Sequence, residues 1–392
     1  MSPVKVYHFN NGTGGGVLSY IRNLFIYGSG AVENHMVYLL NKKDAEELTS
    51  PELIASNQPM KCYYSASWNF YHTCKKVSEV IPDREAIIVA HDWLELGMAS
   101  HLGLENKVAF VLHGDYDYYY NLAIKHEQTI DLFIAVSGAI KQKLLEKIPH
   151  RETDITYCRA ALPDGVTKVK EPNSVDKVVF IGRCTPEKGF PLLPEIALEL
   201  QKRGVQVSWH IVGEGSDKLS IRSGWEPINE VTFYGWRPNA EVLQLLAGAS
   251  FVVLPSLAEG MPLGIAEAMK CGVIPIVNDI SGGLSELIEQ GVNGYKIANN
   301  NPMEYANRIQ ELVGNPTEKE KMSENAIDRA RRLFDAKTNT AQFENELIRL
   351  ADNTKRLKKK ARVYGSRLDQ SWLPNYLTAG IRNSVKFLKG GL

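Results

Sequence analysis

Residues 251–278 constrain the fold more than any other stretch, because they read as one complete βαβ unit. Residues 251–255 form a short apolar run, as expected of a strand that is buried on both faces of a parallel sheet. Pro262 suits a first helical position, and Gly272 stands where that helix would stop before a second apolar run at residues 273–277. We therefore predict an α/β fold, with the loop after the first strand at the sheet edge that binds ligands.

The start of the predicted helix is a candidate anion site, because free backbone N–H groups and the helix dipole favour negative charge there. Glu259 precedes the helix, and Glu267 lies in its second turn, eight positions later. A carboxylate is suited to bind a sugar diol, so both residues could hold a ligand that lies across the helix start. The alternative is that Glu267 only complements the helix dipole, which is worth about 0.3 to 1 kcal/mol, and that Glu259 is a solvated loop charge.

Length and composition predict two globular domains without a nucleic-acid partner. A chain of 392 residues exceeds what one core serves, and its 44% hydrophobic and 23% charged residues are ordinary values for a globular protein. Lys plus Arg and Asp plus Glu number 45 each, so the net charge favours no nucleic acid. Five scattered cysteines without a C-x-x-C pair indicate neither disulfides nor zinc, and they fit a reducing cytoplasm. We see no secretion leader and no membrane-spanning run.

Two cations stand on a second predicted strand-end loop. Residues 177–181 read as a strand that runs into Arg183 and Lys188, before a helix predicted from about residue 191 to 202. Arginine and lysine side chains are the usual protein partners of a diphosphate. A solvated loop would account for Lys188 alone. Further strands of this half are predicted at residues 207–212 and 231–234.

Taken together, these motifs resemble the retaining GT-B glycosyltransferases of family 4, the glycosyl transferases group 1. Residues 259–267 resemble the E-x7-E signature of that family, residues 182–189 resemble its G-R-x-x-x-x-K-G loop, and the resemblance covers roughly residues 4–351. It implies two Rossmann-like, doubly wound parallel-sheet domains that face each other across a cleft, and a terminal helix that crosses back to the first domain. The predicted divisions are residues 1–167, 168–338 and 339–392.

The resemblance also implies a reaction and the roles of individual residues. The protein would transfer a sugar from a nucleotide diphosphate donor, UDP rather than GDP, to a glycan or lipid-linked acceptor. The transfer would retain the anomeric configuration and need no metal or other cofactor. It would serve cell-surface polysaccharide or lipopolysaccharide synthesis. Glu259 would hold the donor sugar, and Arg183 and Lys188 would neutralise the leaving diphosphate. The residues that the resemblance assigns to the rest of the donor are Gly213, Trp236, Arg237, Gly260, Met261, Pro262, Leu263 and Glu267.

The first half of the chain reads as a second α/β unit, with polar residues at the ends of its predicted strands. The resemblance implies that His113 faces the donor sugar, and that Gly15 and Gly16 form a glycine loop beside the sugar and the acceptor. The residues that we assign to the acceptor are His91, Asp92, Asp115 and Tyr116. The predicted strands are residues 4–9, 35–40, 86–90, 107–112, 132–136 and 155–157.

Several of these residues also have structural interpretations that the sequence leaves open. His91 is as readily a structural histidine bonded to a loop, and Ser137 fits a helix N-cap better than a catalyst. The glycines around residue 15 fit an ordinary tight turn, and a dinucleotide fingerprint would need a glycine where Val17 stands. The tyrosines at residues 116–120 line an acceptor groove or anchor a buried loop.

Asp115 and Asp117 spell D-x-D, a motif that holds a metal in the GT-A class of glycosyltransferases. We interpret it here as a coincidence, because it lies in the first half of the chain, away from the inferred diphosphate site. We therefore expect no metal.

The last forty residues lie outside the resemblance and are strongly basic. Between Lys355 and Lys389 the lone acid is Asp369. We predict that this tail holds the protein at an anionic membrane surface, the inner face of the cytoplasmic membrane; the alternative is that it packs on the first domain. The basic residues are Lys355, Arg356, Lys358, Lys359, Lys360, Arg362, Arg367, Arg382, Lys386 and Lys389, and the apolar residues at helical spacing are Trp372, Leu373, Tyr376, Leu377, Ile381, Val385 and Leu388.

Two other functions are compatible with the predicted fold. A nucleotide-sugar 2-epimerase shares the GT-B architecture, but the cation pair and the spacing of the two glutamates argue against it. A non-catalytic nucleotide-sugar sensor is disfavoured because every acid and cation of the motifs is present.

Overall fold

The computed structural model describes residues 3–11, 15–41, 59–166, 175–215, 222–353 and 365–388. It contains two parallel β-sheets, one in each half of the chain. The strands of the first sheet are β1 (Val4–Asn10), β2 (Val32–Asn41), β3 (Met60–Tyr64), β4 (Ile87–Ala90), β5 (Val108–Leu112), β6 (Leu132–Ala135) and β7 (Ile155–Tyr157). Those of the second sheet are β8 (Asp176–Ile181), β9 (Val207–Val212), β10 (Val231–Gly235), β11 (Phe251–Leu254), β12 (Ile274–Asn278) and β13 (Tyr295–Ile297).

In each parallel sheet the strand order reverses near the centre, because the chain adds strands first on one side of the starting strand and then on the other. The first sheet runs β3-β2-β1-β4-β5-β6-β7, and the second runs β10-β9-β8-β11-β12-β13. In open parallel sheets, ligands bind beyond the carboxyl ends of the strands that flank such a reversal, here β1 and β4 in one domain and β8 and β11 in the other. Both domains are therefore Rossmann-like, as the sequence predicted.

Helices connect these strands and complete the chain. Those of the first domain are α1 (Gly16–Tyr27), α2 (Phe70–Ser78), α3 (Trp93–Leu102), α4 (Asp117–Lys125) and α5 (Gly138–Lys147). Those of the second are α6 (Leu193–Lys202), α7 (Asn239–Ala247), α8 (Leu263–Lys270), α9 (Gly283–Leu287), α10 (Pro302–Gly314) and α11 (Pro316–Leu333), followed by α12 (Ala336–Asp352) and α13 (Asn375–Leu388).

Apolar runs in the sequence predicted the positions of the central strands, because these strands are buried on both faces. Each predicted strand is observed with its ends shifted by at most three residues. The sequence missed β3 and β13, which lie at sheet edges and are only partly buried, so neither carries a continuous apolar run. The prediction that Pro262 begins the helix was wrong: its ψ of 92° is not helical, and it caps α8 from outside while its carbonyl accepts from Ile265 N and Ala266 N.

The chain crosses between the domains at two neighbouring points. Leu162, on the way out of the first domain, forms an isolated parallel bridge with Asp335, which caps α12 on the way back. Lys270 is buried between them and donates to the carbonyls of Leu162 at 2.8 Å and Phe334 at 2.9 Å. Helix α12 then packs on α1 and β1. The last core helix of the chain therefore belongs to the first domain in space, as predicted.

The C-terminal helix α13 and the segment before it also lie on the first domain, and they do so through polar groups. Asp369 accepts from Phe70 N at 2.5 Å, and Asn69 Nδ2 donates to the carbonyls of Gln370 and Leu373 at 2.8 Å each. Arg382 bonds to Asp369 at 2.6 Å and to the carbonyl of Trp68.

Five of the predicted apolar residues of this tail face away from the protein, whereas Leu373 is half-buried. Trp372 is 75% exposed and Tyr376 74%, and Leu377, Ile381 and Val385 are also exposed. Among the described residues, no helix is both long and apolar enough to cross a membrane. Seven of the predicted basic residues and one apolar side chain lie outside the described part of the chain: Lys355, Arg356, Lys358, Lys359, Lys360, Arg362, Lys389 and the side chain of Leu388.

Candidate functional site

A cavity of about 670 Å³ lies between the two domains, at the carboxyl ends of both sheets. Of the residues predicted for the site, all but Asp115 line it. They are Gly15, Gly16, His91, Asp92, His113, Tyr116, Arg183, Lys188, Gly213, Trp236, Arg237, Glu259, Gly260, Met261, Pro262, Leu263 and Glu267. The cavity is thus the point where the motifs of the two halves meet, which the sequence pattern anticipated.

The second-domain wall carries the two predicted cations and the first carboxylate. Arg183 and Lys188 lie on the loop after β8, and Glu259 lies on the loop after β11. Lys188 Nζ is 2.6 Å from Glu259 Oε1, and Glu259 is only 6% exposed. Arg183 is exposed to the cavity. One cation is therefore held by a protein carboxylate, while the other is available to an anionic ligand.

The second carboxylate lies on the opposite side of the start of α8. Glu267 is 6% exposed, and its Oε1 accepts from Asn239 Nδ2 at 3.0 Å. Asn239 begins α7, directly after the loop that carries Trp236 and Arg237. This bond fixes the position of Glu267 beside that loop, so the interpretation of Glu267 as a mere complement of the helix dipole does not account for its contact.

Glu214 is a cavity residue that was not predicted for the site. Its Oε1 lies 3.4 Å from the backbone nitrogen of Trp236, and it follows Gly213 at the end of β9. The sequence carried a signal for it, because an acid directly after a predicted strand lies at the ligand edge of a parallel sheet. Asn239 carried no comparable signal, since it does not directly follow a predicted strand.

The two domains are in close contact at Gly260. A Cβ on Gly260 would lie 2.1 Å from the carbonyl oxygen of His113, far inside van der Waals contact. The amide of Gly283 donates to the carbonyl of Gly260 at 2.7 Å, which holds this loop against the second domain. A glycine at position 260 therefore allows His113 of one domain to stand next to Glu259 of the other.

The first-domain wall begins with His91, Asp92 and Glu95, which form a capping box at the start of α3. Glu95 Oε1 accepts from His91 N and Asp92 N at 2.7 Å each. Burial, with a contribution from the charge of Asp92, raises the pKa of Glu95 to about 7. Glu95 was not predicted for this wall, although the sequence D-x-x-E is typical of such a box.

His91 has ring contacts as well as this backbone bond. Its Nδ1 lies 2.8 Å from His113 Nε2, and its Nε2 lies 3.1 Å from His8 Nδ1. Burial lowers the pKa of His8 to about 4 and that of His113 to about 3, so these rings are neutral near pH 7. His8 was missed: it is a polar residue inside a strand that is mostly buried, and only the packing shows which residue it faces.

The tyrosine cluster divides between the cavity and the core. Tyr116 and Tyr119 line the cavity, Tyr116 at 45% exposure and Tyr119 largely buried, whereas Tyr120 is buried and does not line it. The structural interpretation holds for Tyr120, whose hydroxyl donates to Asp115, and Ser137 caps α5 by accepting from Ile140 N at 3.2 Å, as expected.

Asp115 does not reach the cavity, which corrects the acceptor prediction for this residue. Its side chain is 2% exposed, and it accepts from Lys143 Nζ at 2.8 Å and Tyr120 Oη at 2.6 Å. Asp117 stands on the first turn of α4, and both line a smaller recess of about 340 Å³. Within the described ranges, no group of three or more His, Cys, Asp or Glu side chains could hold a metal ion.

Comparison with known proteins identifies the second half of the chain. A family model described as glycosyl transferases group 1 matches residues 166–329. WcaL of Salmonella typhimurium, a putative colanic acid biosynthesis glycosyltransferase, is 29% identical over 153 residues, which are 37% of each chain. A lipopolysaccharide 1,6-galactosyltransferase of Escherichia coli is 25% identical over 180 residues, which are 44% of this chain and 50% of the relative. The alignments therefore span about a third to a half of these relatives.

The architecture also matches a solved structure over most of its length. The crystal structure of Anabaena Alr3699/HepE in complex with UDP-glucose aligns with a TM-score of 0.71 at 20% identity, over 88% of this chain and 99% of that one. At this level of identity the likeness concerns the fold. Residues 166–329 are therefore a glycosyl transferases group 1 region, set in a chain with the two-domain GT-B fold.

Proposed function

We propose that the protein is a retaining glycosyltransferase that moves a sugar from a UDP-sugar to a glycan or lipid-linked acceptor without a metal. The observation that carries the proposal is the meeting of Arg183, Lys188 and the start of α8 on one wall of the cavity with His113 on the other. Two cations and a helix N-terminus supply the positive charge that a departing diphosphate requires.

The contacts in the cavity suggest how each residue acts. A diphosphate beside Arg183 would also attract Lys188, which would then be shared with Glu259. Glu267, which accepts a hydrogen bond from Asn239, would bind the ribose diol. Because Glu259 is bound to Lys188, it is held as a binding group rather than as a free nucleophile. These contacts favour a front-face displacement through an oxocarbenium-like state, in which the positioned charges do the catalytic work.

A nucleotide screen tests the binding step. We expect UDP, and not GDP, to raise the Tm of the wild-type protein, because ligands that bind only the folded state stabilise it. Glu267→Ala should abolish this shift, whereas Glu226→Ala, which removes an exposed acid elsewhere in the same domain, should keep it. A protein that no nucleoside diphosphate stabilises would not be a glycosyltransferase of this kind.

A transfer assay separates the proposed activity from its alternatives. With a UDP-sugar and a saccharide acceptor, we expect a new glycoside whose anomeric configuration, read by NMR, is that of the donor. Isomerised donor in the absence of acceptor would indicate an epimerase. Binding of UDP-sugars without any product would indicate a sensor.

We further propose that the protein meets its acceptor at an anionic membrane surface through α13. The helix is attached to the first domain by Asn375 and Arg382, and its exposed apolar side chains are presented outward. Because Arg382 takes part in this contact, we do not include it among the residues that would bind anionic lipid. The remaining nine basic residues between Lys355 and Lys389 supply a net positive charge that complements anionic lipid.

The place at which α13 attaches also favours this assignment. Asn375 and Arg382 of α13 bond to the backbone of Asn69 and Trp68, which shortly follow β3, and Tyr64 at the end of that strand lines the cavity. A membrane that binds Trp372 and Tyr376 would therefore lie beside the first-domain side of the cleft, where a lipid-linked acceptor would enter.

A further inference from the structure

A row of three histidine rings runs from the cavity wall into the core of the first domain. It starts at His113, passes through His91 and reaches His8 by the two ring-to-ring contacts of 2.8 and 3.1 Å. Beyond it, His8 Nε2 lies 3.0 Å from Oδ1 of Asn34. We call these four residues the histidine row. Each contact uses a different ring nitrogen, so no nitrogen serves two neighbours.

The rings of the row are surrounded by aromatic side chains. Tyr20 contacts His113 edge-on, with ring centres 5.1 Å apart, and Phe25 and Phe343 contact His8 at 5.7 and 6.2 Å. The nearby carboxylate of Glu95 bonds to the backbone of His91. Burial among these aromatic side chains penalises a charged ring, and it lowers the pKa of His91 well below its ordinary value, as it does for the other two. A neutral imidazole has one N–H and one lone pair, so each ring can donate once and accept once.

Asn34 determines the direction in which all the bonds of the row run. Its Oδ1 can only accept, so His8 Nε2 must carry the proton and His8 Nδ1 must present a lone pair. His91 Nε2 then donates to His8, and by the same reasoning His113 Nε2 donates to His91. The other end of the Asn34 amide, Nδ2, lies 3.8 Å from the position that a Cβ on Gly28 would occupy, and Glu344 Oε1 lies 3.2 Å from the same position.

We propose that Asn34, His8 and His91 are positioning residues that hold His113 in the Nε2–H tautomer, so that its Nδ1 lone pair accepts a hydrogen bond from a sugar hydroxyl in the cavity. His113 lines the cavity, and its Nδ1 has no hydrogen-bond partner among the described residues. Recognition of a hydroxyl rests on the proposed function, whereas the tautomer is a property of the protein alone. The tautomer assignment and the contact with the sugar can therefore be refuted independently of each other.

The tautomer can be read directly from a long-range ¹⁵N–¹H NMR spectrum of the full-length, ¹⁵N-labelled protein, with signals assigned by single histidine replacements. We expect the Nε2–H form for His8, His91 and His113 near neutral pH. A wild-type His113 that carries its proton on Nδ1 would overturn the proposal. This measurement is made on the wild-type protein, and variants are needed only to assign the signals.

Asn34→Leu tests the anchor, because leucine has a similar size but no acceptor. We expect His113 to populate both tautomers in this variant and kcat to fall roughly tenfold, as for the loss of one hydrogen bond. Asn307→Leu, which removes an amide that bonds to Arg203 on the surface of the second domain, should change neither. An unchanged His113 tautomer in Asn34→Leu would refute the role of Asn34.

The hydroxyl contact is tested with UDP-glucose, UDP-galactose and UDP-N-acetylglucosamine, with UDP alone as the control. We expect at least one sugar nucleotide, and not UDP, to move the His113 Nδ1 resonance in the direction of a lone pair that has accepted a hydrogen bond. If a bound sugar nucleotide leaves that resonance where UDP leaves it, the contact with the sugar is refuted even if the protein transfers sugars.

Discussion

Lys188 Nζ and Glu259 Oε1 lie 2.6 Å apart, so a cation and a carboxylate predicted for different parts of the donor are paired with each other. Their side chains are 22% and 7% exposed, which makes the pair largely buried. Removing one member of a buried pair leaves the other charge uncompensated, and that costs more than the pair itself contributes. Lys188 therefore has a structural partner that the neighbouring Arg183 lacks in the described part of the chain.

This difference predicts distinct effects for the two cations. Lys188→Ala and Arg183→Ala should each lower kcat by roughly 10² to 10³, because each removes a positioned charge that stabilises the leaving diphosphate. Lys188→Ala should also lower Tm, since it leaves Glu259 without its partner, whereas Arg183→Ala should not. Lys202→Ala, at the end of α6, is the control. Steady-state kinetics and thermal melts check this, and rates within a few-fold of wild type would remove the diphosphate assignment.

The central strands and most of the cavity were predictable because their signals are local. A strand buried on both faces is a continuous apolar run, and loops at the carboxyl ends of such strands meet at one edge. Arg183, Glu259 and Glu267 could therefore be placed together from the order of residues alone. The edge strands Met60–Tyr64 and Tyr295–Ile297 have no such run, and they are held by pairing with one neighbour.

Contacts between distant segments were not predictable in the same way. His8 faces His91 because β1 pairs with β4, and nothing within either strand specifies this partner. For α13, the helical spacing of its apolar residues was evident, but an amphipathic helix usually buries its apolar side. Here the polar side is attached instead, because Asn375 and Arg382 bond to Asn69 N and to the carbonyl of Trp68.

Activity should not depend on a divalent metal. The charge that a metal would bring is available from Arg183, Lys188 and the start of α8, and Asp115 is engaged with Lys143. We expect full turnover in excess EDTA, and no metal requirement in Asp115→Asn or Asp117→Asn. Loss of turnover in chelator, with recovery on addition of Mn²⁺ or Mg²⁺, would indicate instead that the D-x-D motif holds a metal that the reaction requires.

Glu95 should make stability depend on pH in a predictable direction. Its pKa in the folded protein, about 7, lies above the ordinary value near 4.5, so the folded state binds this proton more tightly than the unfolded state does. Its stabilising contribution is complete below about 4.5 and is lost as the pH rises through about 7. Glu95→Gln cannot lose a proton, yet its side-chain oxygen can still accept from His91 N and Asp92 N.

We therefore expect the stability of Glu95→Gln, relative to wild type, to rise between pH 4.5 and pH 7 by on the order of 2 to 3 kcal/mol. The opposite pH dependence of the neutral histidines is present in both proteins and cancels in this difference. Denaturant unfolding at a series of pH values measures it. Glu105→Gln, at an exposed acid, should track wild type throughout. A constant difference across this range would contradict the raised pKa.

The exposed side of α13 should bind anionic vesicles. Each basic residue near such a surface contributes about 1 kcal/mol, and the interaction is screened within about 10 Å at 0.1 M salt, so binding should be reversible and released by salt. Point substitutions test this better than truncation, because truncation would also remove the contacts of Asp369 and Arg382 with residues 68–70. Tyr376→Ser combined with Ile381→Ser removes two exposed apolar side chains without touching those contacts.

We expect the wild-type protein to sediment with phosphatidylglycerol vesicles at low salt and not with phosphatidylcholine vesicles. The double variant should lose most of this binding while it keeps its Tm and its turnover on a soluble acceptor. Met303→Ser, which removes a 56% exposed apolar side chain from the second domain, should bind as wild type does. If the wild-type protein ignores anionic vesicles at low salt, the membrane assignment fails. If the double variant instead changes the oligomeric state in size-exclusion chromatography, the exposed side of α13 is an interface between protein chains. The lost apolar area would then have been buried between two copies of the protein rather than against lipid.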